Sequence, residues 1–140
     1  MLTLGKAISI AAKGFEKKLD KGGNPYILHC LRVMNSVESE EEKIVAVLHD
    51  TIEDDVLTFE ELLKLNPSNE IYHALFLLTH NKNISYDEYI KNISTNKLAV
   101  KVKLADLRDN SDITRLKGLS KKDFDRMEKY HKAYIYLSKI

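Results

Sequence analysis

The sequence predicts an all-α fold, a bundle of about eight helices, and three observations carry that prediction. Apolar residues recur at spacings of three and four along most of the chain. Ser39, Thr58, Ser85 and Ser120 are each followed three residues later by an acid, which is the capping-box pattern of a helix start. The strict alternation of a half-buried strand is nearly absent.

Leu4, Ala7, Ile8, Ala11, Ala12, Phe15 and Leu19 share one helical face, so the first helix is predicted over residues 3–19. Gly22-Gly23 breaks it. Asn24-Pro25 then reads as an N-cap with proline at the first helical position, opening a second helix that carries Tyr26, His29, Leu31, Arg32 and Val33. Ser39 with Glu42 opens the third helix, which runs into His49-Asp50 and Glu53-Asp54. Thr58 with Glu61 opens a short fourth, stopped by Asn66-Pro67. A fifth helix is predicted from Glu70 to Thr79, a sixth around Tyr89, a seventh from Asn96 to Asp112 and the last from Ser120. No repeat, low-complexity tract or long linker divides the series, so a single domain over residues 1–140 is expected.

Composition narrows the function classes. Hydrophobic residues at 44% and charged residues at 31% describe a soluble globular chain. A net charge of +1 gives no bulk attraction to nucleic acid or to an acidic membrane. There is neither a membrane span nor a leader pattern, and the lone Cys30 has no disulfide partner, so the expected location is the cytoplasm. Whether the chain forms a homo-oligomer is left open by the sequence.

Chemistry concentrates in three separated segments. His29 lies among apolar residues on the second helix, His49 and Asp50 end the third, and Asp106 interrupts the apolar face of the seventh. Groups of this kind cost several kcal/mol to bury unless paired or ligated. Two histidines and two aspartates form a mixed N/O ligand set with room for water, suited to Mn²⁺, Fe²⁺, Co²⁺ or Zn²⁺. Residues four apart on a helix share a face, which places Glu53 beside His49 and Asp54 beside Asp50. Acids at a helix C-terminus oppose the macrodipole, so the pair needs a reason. Activation of a water is one. Asn110, one turn after Asp106, could hold that aspartate or orient a substrate. Lys97, Lys101 and Lys103 could supply a local positive field, although a solvated helix face explains them equally well. His73, His80, His131 and the tyrosines Tyr130, Tyr134 and Tyr136 read as surface or packing residues, and Cys30 as a core thiol.

These segments resemble a known family. Asn24-Pro25-Tyr26-Ile27-Leu28-His29 is similar to a G-x-P-Y-x-x-H segment, Leu48-His49-Asp50-Thr51-Ile52-Glu53-Asp54 to LHDxxED, and Val102-Lys103-Leu104-Ala105-Asp106 with Asn110 to VKLADxxxN. Together they resemble the HD-domain metal-dependent phosphohydrolases, in particular the hydrolase domain of the RelA/SpoT alarmone enzymes and their stand-alone small hydrolases. The resemblance runs from about Gly22 to Ile113. It implies an HD-domain helical bundle and hydrolysis of the 3′-pyrophosphate of guanosine tetra- or pentaphosphate, usually with Mn²⁺. It further implies that His29, His49, Asp50 and Asp106 ligate the metal and that Glu53 and Asp54 are catalytic. Lys21, Tyr26, Lys103 and Asn110 would contact the nucleotide substrate. No synthetase domain fits in the remaining residues, so the implied activity is degradative.

Two positions depart from the pattern. Asp20 stands where the long alarmone hydrolases carry an arginine, which predicts repulsion of a polyphosphate or altered base recognition. Leu107 stands where arginine is common, with Arg108 following. Two alternatives therefore accompany the alarmone reading: an HD phosphohydrolase of another nucleotide, and a metal- and nucleotide-binding sensor without turnover.

Overall fold

The computed structural model describes residues 1–140 and contains eight α-helices, one short 3-10 turn and no strand. The helices are α1 (Leu4–Gly14), α2 (Ile27–Asn35), α3 (Glu40–Leu48), α4 (Phe59–Lys64), α5 (Asn69–Leu78), α6 (Tyr86–Ile93), α7 (Lys97–Asn110) and α8 (Lys121–Ser138). Capping side chains at Thr3, Ser39, Thr58, Ser68, Ser85 and Asn96 accept from backbone N–H groups inside the first turn, which fixes where six of these helices begin.

The centre of the fold is α3. Ile44, Val45, Ala46, Val47 and Leu48 are buried in succession, so this helix is apolar on every side and must be surrounded. It packs against α1, α2, α5 and α7. Its neighbour α7 is nearly as enclosed, but Lys103 and Asp106 are buried in it beside Val102, Ala105 and Leu107. A buried lysine and aspartate in a core helix require partners, and the site below supplies them.

The first two helices differ from expectation. Phe15 caps α1 and the chain leaves the helix there, so Leu19 lies outside it and is 60% exposed. Residues 15–26 form turns closed by a bridge between Leu19 and Pro25. Asn24 is no cap. Its N–H donates to Asp20 Oδ1 (2.9 Å), as does that of Gly22 (2.9 Å), and α2 begins after Tyr26 without a side-chain cap. An aspartate that collects two turn N–H groups holds a loop in a region where apolar spacing had suggested helix. The third helix likewise ends at Leu48, and the chain continues through successive turns to Asp55, whose φ is 61°.

Candidate metal centre and its cavity

His29 reaches the centre from α2, His49 and Asp50 from the end of α3, and Asp106 from α7. Their ligand atoms all lie within 4.8 Å of one another. His29 Nε2 and His49 Nε2 are each 3.0 Å from Asp106 Oδ1. Asp50 Oδ2 is 3.1 Å from His49 Nε2 and 3.7 Å from His29 Nε2. Donors bound at about 2.1 Å to one ion lie roughly 3 Å apart when adjacent, so these spacings fit a single divalent cation.

The outer hydrogen bonds point the same way. His49 Nδ1 donates to the Ala46 carbonyl oxygen (2.5 Å) and His29 Nδ1 donates to Asp109 Oδ2 (2.6 Å). Both acceptors lack a proton, which assigns Nδ1–H to each ring and turns the Nε2 atoms toward the carboxylates. In neutral imidazoles those would be lone pairs facing lone pairs. A positive charge is required between them, as protons or as a metal ion. The local electrostatics agree: burial alone would lower both histidines, yet Asp106 and Asp109 raise His29, and Asp50 and Asp106 raise His49, above their ordinary values. Burial would raise Asp106, but Lys103 and His49 hold it well below the usual carboxylate range. The donor set is mixed nitrogen and oxygen with no thiolate, which suits a catalytic divalent ion better than a structural zinc.

Neighbouring donors hold the two carboxylates. Lys103 Nζ donates to Asp106 Oδ2 (2.9 Å), Asn110 Nδ2 donates to Asp106 Oδ1 (3.0 Å) and the Tyr26 hydroxyl donates to Asp50 Oδ2. Three of the residues expected to contact substrate therefore also hold the cluster in place. Lys97 and Lys101 are not among the cavity-lining residues, and Lys101 pairs with Glu42 (3.2 Å).

A cavity of about 670 Å³ opens over the cluster. Asp50, Glu53, Asp54 and Asp106 line it beside the cluster, and Lys21, Arg115, Arg126, Lys129, Tyr86 and Tyr130 are also in its wall, together with Asp20 and Asp112. Glu53 Oε1 accepts from the His80 backbone N–H (2.7 Å), and Lys18 pairs with Asp54 (2.8 Å) while lying over the Tyr26 ring. Both acids thus line the cavity, each held by a separate segment of chain.

Four findings revise the sequence reading. Asp20 does not present a free charge: its Oδ2 pairs with Arg115 (3.3 Å), its Oδ1 serves the turn, and its side chain is 6% exposed. Arg108 does not replace the missing arginine of the cavity, because its guanidinium donates to the Tyr134 hydroxyl (2.7 Å). Tyr130, read as packing, lines the cavity with Arg126 and Lys129 on one face of α8, a spacing of three and four that the sequence does contain. His80, read as an ordinary surface or core residue, also lines the cavity and stacks on Tyr89 with ring centroids 4.5 Å apart. It lies in a loop, where no periodicity points to it.

A solved structure described as "A metazoan ortholog of SpoT hydrolyzes ppGpp and plays a role in starvation responses" superposes on this chain with a TM-score of 0.79. The match covers 96% of this chain and 84% of that one, at 22% identity. The fold is shared with that SpoT ortholog. A GTP pyrophosphokinase of Myxococcus xanthus is 42% identical over 74 residues, which is 50% of this chain and 10% of that much longer protein. No family model matches the chain. No helix is long and apolar enough to cross a membrane.

Proposed function

We propose that the protein is a metal-dependent pyrophosphohydrolase that removes the 3′-pyrophosphate of guanosine tetra- or pentaphosphate, giving GDP or GTP and pyrophosphate. The observation that carries this reading is the convergence of His29, His49, Asp50 and Asp106 beside a cavity whose lining also includes Lys21, Lys129, Tyr86 and Tyr130. The SpoT-like fold and the partial identity to a GTP pyrophosphokinase support the choice of nucleotide.

The four clustered residues would hold a divalent ion, most simply Mn²⁺, with Fe²⁺, Co²⁺ or Zn²⁺ compatible with the same donors. When bound, such an ion supplies an acidified water and neutralises charge on a phosphate oxygen. Glu53 would take the proton of the attacking water, and the His80 N–H that it accepts holds the carboxylate in the cavity wall. Asp54 supports it, balanced by Lys18. Lys21 and Lys129 offset phosphate charge, and Tyr130 offers an apolar face for the base. Asn110 and Lys103 keep Asp106 charged and oriented, and Tyr26 does the same for Asp50. We place this activity in a single hydrolase domain over residues 1–140 and in the cytoplasm.

A product panel tests the substrate. Guanosine tetraphosphate, other nucleoside phosphates and NADPH are incubated with the protein and Mn²⁺. Pyrophosphate from the first alone supports the alarmone reading, whereas phosphate from another nucleotide alone keeps the metal site and replaces the substrate. Metal binding without turnover of any of them leaves a sensor.

A further inference from the structure

His29 and His49 are supported unequally. The Nδ1–H of His49 is taken by a neutral backbone carbonyl, that of Ala46. The Nδ1–H of His29 is taken by a carboxylate, Asp109 Oδ2, at 2.6 Å. Asp109 lies three residues beyond Asp106 on α7, so the two acids project toward the same side of the helix and grip opposite nitrogens of one ring.

Asp109 is itself held on both sides. Arg32 Nε donates to Oδ1 (2.8 Å), and Arg115 Nη1 lies 3.0 Å from Oδ2. Arg115 also donates to the Asp109 carbonyl oxygen (3.0 Å) and to Asn110 Oδ1 (3.2 Å), and its other nitrogen reaches Asp20 (3.3 Å). A carboxylate serving only to pair two arginines has no need to direct an oxygen at an imidazole.

We infer that Asp109 is a positioning residue of the metal centre, a carboxylate that fixes the tautomer and ring orientation of His29 and strengthens its Nε2 as a donor. The two arginines hold the Asp109 carboxylate in place, with Oδ2 directed at Nδ1–H of the ring. The inference rests on the metal reading of the four-residue cluster.

Metal affinity, measured on the metal-free full chain, separates the two. Mn²⁺ binding is followed by calorimetry for the wild type, Asp109→Asn and Asp109→Ala, with the visible spectrum of added Co²⁺ as a readout of the ligand field. Asp109→Ala should weaken Mn²⁺ binding about 10–100-fold and alter the Co²⁺ spectrum. Asp109→Asn, which keeps an acceptor for Nδ1–H but loses the charge, should fall between. A purely structural role would lower the melting temperature of the metal-free variants while leaving both metal readouts unchanged, and that result overturns the inference. If Asp109→Ala fails to fold, the isosteric Asp109→Asn decides by the same criteria. A wild type that binds neither Mn²⁺ nor Co²⁺ overturns the metal reading itself, and the inference with it.

Discussion

Asp50 and Glu53 are three residues apart and separate two functions. Asp50 belongs to the cluster, 3.1 Å from His49 Nε2, while Glu53 is anchored to the His80 backbone. Asp50→Ala should therefore lose bound Mn²⁺ and turnover together. Glu53→Gln should keep Mn²⁺ within error and lose roughly 10²–10⁴-fold in kcat; equal turnover would remove its assigned role. Cys30 adjoins His29 in sequence but is buried, and burial together with Asp50 and Asp106 pushes its thiol up to about 12. Iodoacetamide should leave it unmodified in the native protein near neutral pH and react only after unfolding. Asp109 behaves oppositely: burial would raise it, but His29, Arg32 and Arg115 hold it at about 2, below the usual carboxylate value. A depressed carboxylate stabilises the fold above its ordinary pKa, and that contribution disappears as pH falls through the folded value. The stability gap between wild type and Asp109→Asn, read from urea midpoints, should therefore shrink as the pH is taken from about 5 to about 2.

Among the elements, the loop of residues 15–26 is the least legible in the sequence. Helix starts were legible because a capping side chain and its N–H partner lie three residues apart, as at Ser39 with Glu42 and Thr58 with Glu61. The two histidines and two aspartates were legible as a set because each breaks an apolar helical pattern. The loop was not, since what shapes it is remote in sequence: Asp20 is held by Arg115, and a Cβ at Gly22 would lie 1.9 Å from the Arg115 carbonyl oxygen. Asp20 looked like an unpaired acid because its partner is 95 residues away. Leu19, counted on a helix face, proved to follow a helix already ended at Phe15. His80 and the basic face of α8 enter the cavity only through the packing of α6 and α8 on α7. Gly22→Ala should push the loop off the 3-10 turn, lowering stability by about 1–3 kcal/mol in urea titration and raising KM more than it lowers kcat. An unchanged midpoint would show that the loop yields without penalty.

At the scale of the molecule, the cluster concentrates buried like charge at the junction of α2, α3 and α7. With no cation there, the imidazoles must carry protons, so a bound ion should stabilise the whole fold. At a hundredfold excess over Kd this linkage is worth about 2.7 kcal/mol, or roughly 5–10 °C in melting temperature for a chain of this size. Addition of EDTA should reverse that shift for the wild type and have no effect on Asp50→Ala. The most direct test of the central claim is product formation from guanosine tetraphosphate in Mn²⁺, with wild type and Asp50→Ala side by side. The wild type should give GDP and pyrophosphate in equal amounts and the variant none. No pyrophosphate from a wild type shown to hold Mn²⁺, or equal release by Asp50→Ala, would contradict it.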